Sequence, residues 1–322
     1  MLRTYVTEKW GLRYPLIGAP MANTGRGRLA HAISQAGGLG MFGVGSKDSI
    51  EFIERESAVA RGEGSTKFGI GLMAWALETR PELLDAAIAQ SPFLLSISFG
   101  SILPYVDKAH RAGIVVAAQV GNRRAATAAA ESGADLIVAQ GSEAGGHAGS
   151  VATLPLLQIV LESVDKPVAA AGGIASPAGL AAVLAAGAVA GWIGTAFLLS
   201  PETDTSEEAR RRIAEADETQ TIQTSVFDRA NHLGWPVEFP GRALRNPFAE
   251  RWHGRESELI ADSEELARFR RAAEAKDYDI TSIYAGQSVG LLSNRRPASE
   301  IVNRFGEEAE EILRQRLQTL LA

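Results

Sequence analysis

Eight short apolar runs recur along the first two hundred residues, each followed by an amphipathic stretch of helical length. The runs lie at 15–19, 39–42, 68–72, 93–97, 114–118, 135–139, 167–171 and 189–194. Helical patterns alternate with them near 28–36, 48–61, 81–90, 102–112, 123–132, 154–164, 177–186 and 206–215. Strands that alternate with helices of this length pair in parallel through crossovers. The runs are continuously apolar rather than alternating, as expected of strands covered on both faces. Four segments, AGG at 36–38, AGI at 112–114, SGAD at 132–135 and AGAVAG at 186–191, put Gly just beyond a helix, where the chain turns left-handed. Eight such units are what an α/β fold of the (β/α)8 TIM barrel type requires. A doubly wound open sheet is the alternative that periodicity leaves open.

Beyond residue 200 the pattern changes. Residues 217–256 carry Trp235, Trp252, His232 and His253 with several Pro and Gly and no clear period. Charged helical patterns follow near 257–276 and 297–320, the second opening on Pro297-Ala298-Ser299-Glu300, a helix-start arrangement. The barrel is therefore expected to carry a mostly helical C-terminal lid or extension. The basic runs at 210–212 and 268–271 read as solvated helix faces.

Composition narrows the chemistry. The 322 residues include 33 Gly and 5 His but no Cys, and the charges sum to 32 − 38 = −6. Without cysteine there are no disulfides, thiol nucleophiles or iron–sulfur ligands. The few His and the absence of clustered carboxylates predict no metal site. The acidic balance argues against nucleic acid or an anionic membrane as partner. The opening MLRTYVTEKWGLRYP lacks the apolar core of a signal peptide, and no apolar stretch reaches membrane-spanning length, so a cytoplasmic location is expected. Two motifs mislead. Gly38-Leu39-Gly40-Met41-Phe42-Gly43 matches a dinucleotide fingerprint, but a helix precedes it and the motif itself holds the second strand. Gly286-Gln287-Ser288-Val289-Gly290 matches a nucleophile elbow, but no His follows Ser288, so the triad order fails.

Barrel enzymes place their chemistry at the C-terminal ends of the strands, with phosphate often held after the last two. The seventh run ends in Ala171-Gly172-Gly173-Ile174 and the eighth in Gly194-Thr195-Ala196-Phe197. These turns offer bare N–H groups and a hydroxyl, an anion cradle in the expected place. After the sixth run comes Gln140-Gly141-Ser142-Glu143-Ala144-Gly145-Gly146-His147-Ala148-Gly149. Its glycines let backbone lie against a flat ligand, and its imidazole suits proton abstraction near neutral pH. Glu143 is either a second base or a residue that orients a helix or bonds the loop. The other strand ends supply Pro20-Met21-Ala22, Met73, Ser98 and Gln119, a small, soft, amide-bearing rim that suits a planar heterocycle.

On AGGLGMFG (36–43), VAQGSEAGGHAG (138–149), PVAAAGGIA (167–175), WIGTAFL (192–198) and YAGQSVGLL (284–292), the chain resembles the nitronate monooxygenases, FMN-dependent TIM-barrel enzymes, over essentially its whole length. The resemblance implies that Pro20, Met21, Ala22 and Met73 lie along the flavin, with Gln119 and Gln140 near its polar edge. Gly145 and Gly146 would contact the cofactor, and Ala171, Gly172, Gly173, Gly194 and Thr195 would hold its phosphate. His147 matches the family's catalytic base, and Ser98, Gly286, Gln287 and Ser288 would border the substrate. Some members carry Lys in place of Gln119 and Thr in place of Met73, a difference that bears on redox tuning. The implied division is 1–216 as the FMN-binding barrel, 217–296 as a lid on the substrate side, and 297–322 as a helix packing back on the barrel. The implied reaction oxidises alkyl nitronates, or nitroalkanes after loss of the α-proton to His147, with O2 to carbonyl compounds and nitrite. FMN-type enoyl-acyl carrier protein reductases share the Gly-Gly-His loop, so an NAD(P)H-dependent reductase of enoyl thioesters or quinones is the alternative. Partners are then a small-molecule substrate and O2, with an oligomer neither required nor excluded.

Overall fold

The computed structural model describes residues 2–64 and 66–321. Eight parallel strands, β1 (Leu16–Gly18), β2 (Gly40–Gly43), β3 (Phe68–Met73), β4 (Leu94–Ser98), β5 (Val115–Val120), β6 (Leu136–Gln140), β8 (Val168–Ala171) and β9 (Ala190–Ile193), fall within or beside the eight apolar runs. Between β6 and β8 lies the two-residue strand β7 (Gly146–His147). The large sheet has the order β1-β9-β8-β6-β5-β4-β3-β2. A parallel bridge Ile17↔Leu39, with Gly18 N–H donating to Leu39 O at 2.8 Å, brings its two edges together as a barrel. An open doubly wound sheet would leave those edges apart.

Side-chain alternation sorts the core into two layers. Ile17, Met41, Leu94, Ala117, Val138, Ala169 and Trp192 fill the inside, while Leu16, Phe42, Ile70, Leu95, Val116, Ile137 and Ala170 face the helices. Trp10 closes the end where the strands begin, edge-on to Phe93 at 5.3 Å. The four glycines expected beyond helix ends all adopt positive φ, Gly37 at 103° and Gly187 at 106° among them. The helix Ala298–Leu321 packs on the helices Gly27–Gln35 and Pro177–Ala185, adding Ile301, Val302 and Phe305 to the outer core. At Gly306 it lies so close that an added Cβ would run into the Tyr14 ring. The Tyr14 hydroxyl donates to Glu307 at 2.9 Å. Burial, reinforced by that bond, holds the Tyr14 phenol above its ordinary titration range.

The extension departs from the expected pattern in two places. Residues 217–256 contain β10 (Thr221–Thr224) and β11 (Gly241–Leu244), which join β7 in an antiparallel sheet of order β10-β11-β7. The pairs Gly241↔His147 and Arg242↔Gly146 stitch the extension to the loop after β6. The charged pattern at 257–276 is two helices, Glu256–Ala261 and Ser263–Ala275, because Asp262 leaves helical geometry and caps the second. Its carboxylate accepts from the N–H groups of Glu264 and Glu265. Both decoy motifs resolve structurally: β2 lies inside the first, and a 3-10 turn, Gln287–Leu291, occupies the second.

Candidate active site

The C-terminal ends of the barrel strands open on a cavity of about 340 Å³, within the size range of small-molecule sites. Pro20, Met21 and Ala22 line it after β1, Met73 and Ser98 at the ends of β3 and β4, and Gln119 and Gln140 on β5 and β6. Gly145, Gly146, His147, Ala171, Gly172, Gly173, Gly194, Thr195 and Ser288 complete the predicted set within the wall. Gly286 and Gln287 lie outside the wall. The Gly286 N–H donates to Thr195 Oγ1 at 3.0 Å and the Gln287 N–H to Glu143 O at 2.9 Å, so this segment braces the turns from behind. A Cβ on Gly145 would sit 2.6 Å from Gly286 N, which explains the glycine there.

The turn after β8 is built to present donors. Gly172 and Gly173 have φ of 100° and 72°, a left-handed pair that side chains resist. The N–H groups of Gly172, Gly173, Gly194 and Thr195 make no hydrogen bond to any described residue. Unpaired backbone donors beside a cavity are uncommon in folded proteins, and a bound anion would satisfy them. The Thr195 hydroxyl, having accepted from Gly286, keeps its own proton to donate. A phosphate-bearing ligand therefore fits this side of the cavity.

The floor is neutral and amide-rich. Gln119 Nε2 donates to Gln140 Oε1 at 3.0 Å, leaving the Gln119 oxygen and the Gln140 amide protons for a ligand. The Ser98 hydroxyl accepts from Gln119 N–H at 3.0 Å and shares a proton with Ser96. Ser98 thus supports the floor. The indole N–H of Trp192, on the same wall, is buried without a partner among the described residues. A planar heterocycle edged with carbonyl and ring-nitrogen acceptors suits such a surface.

His147 is the imidazole in the wall. Its Nε2 lies 3.0 Å from both Asp228 carboxylate oxygens, and the two side chains are 9% and 5% exposed. Its Nδ1 makes no hydrogen bond to a described residue. Trp235 stacks on the ring, centroids 3.4 Å apart and planes 5° from parallel. Tyr284, 5.5 Å away, directs its hydroxyl to Asp228 Oδ1 at 3.4 Å. Burial, with the neighbouring Asp228 charge, pushes the Tyr284 phenol well above its ordinary range, so it stays protonated and donates. Glu143 resolves as a helix anchor: its Oε2 accepts from Thr153 N–H and Oγ1–H, both at 2.8 Å, at the start of the helix Thr153–Leu161. Buried Arg242 donates to Ser142 O at 2.8 Å and to Thr221 Oγ1 at 3.1 Å, tying the extension to the same loop.

Asp228, Trp235 and Tyr284 had no role in the site as read from the sequence. Asp228 is the acidic residue among buried Val226, Phe227 and Ala230, and an ionisable group in such a setting signals a buried partner. Trp235 sits in an irregular loop with nothing periodic to place it. Among the described residues no cluster of His, Asp or Glu could hold a metal, and no helix is long and apolar enough to cross a membrane.

The sequence profile of the family described as nitronate monooxygenase matches residues 83–308. The chain belongs to the nitronate monooxygenase family. It is accordingly a flavin-dependent oxidoreductase. A nitronate monooxygenase of Neurospora crassa is 31% identical over 92% of this chain and 89% of its own. A 5-hydroxy-7a-methyl-1-oxo-octahydro-1H-indene-4-carboxyl-CoA dehydrogenase of Rhodococcus jostii is 35% identical over 70% of this chain, and the match spans 64% of that protein. Among solved structures, FabK from Thermotoga maritima superposes with a TM-score of 0.85 at 29% identity, covering 99% of this chain and 100% of that one. A nitroalkane oxidase from Streptomyces ansochromogenes gives 0.81 at 28% identity, covering 98% and 100%.

Proposed function

We propose that this member of the nitronate monooxygenase family binds FMN and oxidises alkyl nitronates, and nitroalkanes after deprotonation, with O2 to carbonyl compounds and nitrite. The observation that carries the reading is His147, whose Nδ1 has no partner among the described residues, lining the same cavity as four backbone N–H groups that likewise bond none of them. Gly172, Gly173, Gly194 and Thr195 would hold the FMN phosphate. Gln119, Gln140 and the soft groups Pro20, Met21, Ala22 and Met73 would border its ring system. Bound there, FMN would supply the electron transfer between nitronate and O2 that no side chain of this chain provides. His147 takes the α-proton of a neutral nitroalkane, and Trp235 covers the imidazole against water. Residues 217–296 act as the lid, since Leu233, Trp235, Tyr284 and Ser288 all reach the wall from that segment. Gly286 and Gln287 shape the pocket from outside it.

The likeness to a carboxyl-CoA dehydrogenase favours a second reading, an NAD(P)H-dependent FMN reductase of enoyl thioesters or quinones. Anaerobic stopped-flow mixing of the oxidised holoenzyme with ethylnitronate, NADH and NADPH in turn separates the two. Rapid bleaching by ethylnitronate is expected. Bleaching by a pyridine nucleotide with none by ethylnitronate would replace the first reading with the second.

A further inference from the structure

The contact between His147 and Asp228 joins residues 81 positions apart and lies between the barrel loop and the extension. We propose that Asp228 is a positioning residue that fixes His147 in the Nε2–H tautomer, leaving the lone pair on Nδ1 to receive the substrate proton. The inference rests on the reading of His147 as a base.

A carboxylate only accepts hydrogen bonds, and a neutral imidazole carries one N–H. With both Asp228 oxygens 3.0 Å from Nε2, the ring proton belongs on that nitrogen. The other tautomer would set a lone pair against two carboxylate oxygens in a buried place, where such repulsion is poorly screened. Tyr284 O–H is the further donor to Asp228, and no Lys or Arg among the described residues bonds it. Gly241 packs beside this edge and leaves room for it, since a Cβ there would come within 3.3 Å of Nε2 and 3.5 Å of Cε1. Backbone pairing at Gly241↔His147 sets the depth of the ring, and Trp235 sets its plane. Nδ1 is thus the nitrogen left for substrate.

Asp228 itself is held by the short helix Val226–Ala230, whose Val226, Phe227 and Ala230 are packed in the extension's own apolar cluster. The extension therefore does more than roof the cavity, because it delivers the group that decides which nitrogen is basic.

The test compares wild-type holoenzyme with Asp228→Asn. An asparagine can turn its amide N–H toward Nε2, which moves the ring proton to Nδ1 and removes the acceptor from the cavity. Turnover of nitroethane should fall by ~10²–10⁴-fold, the usual contribution of a general base. Turnover of preformed ethylnitronate, which needs no proton removed, should stay within about threefold. Equal loss on both substrates overturns the proposal. An independent readout uses wild-type protein with 15N-labelled histidine, His147 being assigned by difference from His147→Gln. Its imidazole spectrum should show a protonated Nε2 and a bare Nδ1 in neutral buffer, and the reverse assignment overturns the proposal even if the Asn variant does not fold. Should the enzyme prove a pyridine-nucleotide reductase, the nitrogen spectrum still decides the role of Asp228 separately.

Discussion

Replacing Gly172 by Ala probes the turn after β8 at a point where strain and crowding can be separated. Gly172 has φ of 100°, and its new Cβ would lie 2.8 Å from Thr153 Oγ1 and 3.1 Å from both Ala144 N and Gly141 O. Thr153 cannot easily yield, because its hydroxyl is bonded to Glu143. Forcing an L-residue into left-handed geometry costs ~1–2 kcal/mol, and overpacking adds ~1–3 kcal/mol. The sum, ~2–5 kcal/mol, must appear either as lost stability of the apoprotein or as displacement of the Gly172 and Gly173 N–H groups. In the second case FMN affinity falls about thirtyfold or more, at ~1.4 kcal/mol per factor of ten. Gly173→Ala is the control: its φ is 72°, but its Cβ would meet only Glu143 Cβ, at 3.9 Å. It carries the strain without the crowding, so its FMN affinity should fall by about thirtyfold at most. Titration of FMN into apoprotein by fluorescence quenching, with melting curves of apo and loaded forms, measures both quantities. Gly172→Ala protein that binds FMN within about threefold of wild type and melts at the same temperature would refute the assignment of the phosphate turn.

Trp235→Ala should lower kcat/KM for nitroethane several-fold while leaving FMN affinity unchanged, since the ring touches His147 rather than the phosphate turns; a loss of FMN instead would place Trp235 against the cofactor. Glu143→Gln should reduce stability by ~1–2 kcal/mol through a weaker bond to Thr153, measured by urea unfolding, with nitroethane and ethylnitronate affected alike. Selective loss on nitroethane would mark Glu143 as the base after all. Tyr284 titrates above its ordinary value when folded, so above pH ~10 the unfolded chain holds fewer protons and stability falls as pH rises. Tyr284→Phe should flatten that alkaline slope in urea unfolding between pH ~10 and ~11, and an unchanged slope would mean the phenol ionises as freely in the fold as out of it.

The barrel was legible because each unit repeats a local rule. Continuous apolar runs make buried parallel strands, and a glycine beyond a helix, such as Gly37 or Gly187, makes the turn that returns the chain to the sheet. The glycine turns after β8 and β9 were legible for a related reason: their position depends on strand count, and their glycines on φ. His147 stood out as the imidazole in a glycine-rich loop. Asp228 did not, because its meaning lies in a contact 81 residues away, and nothing local encodes that distance. The strands β7, β10 and β11 were equally hidden, being two to four residues long and paired across the chain. The break at Asp262 was readable, since Asp followed three positions later by Glu265 is a helix-start signature.

The brace formed by Gly286 and Gln287 bears on how the protein matures. An elongating chain has completed the turns after β8 and β9 by Thr195, yet the hydroxyl of that residue finds its partner only 91 positions later. At ~5–20 residues per second that interval is roughly five to twenty seconds of synthesis. Until then the Glu143 carbonyl in the loop after β6 and the Thr195 hydroxyl in the turn after β9 lack the Gln287 and Gly286 N–H groups that tie that loop to that turn. The loop after β6 and the turn after β9 are therefore joined only once the chain is nearly finished.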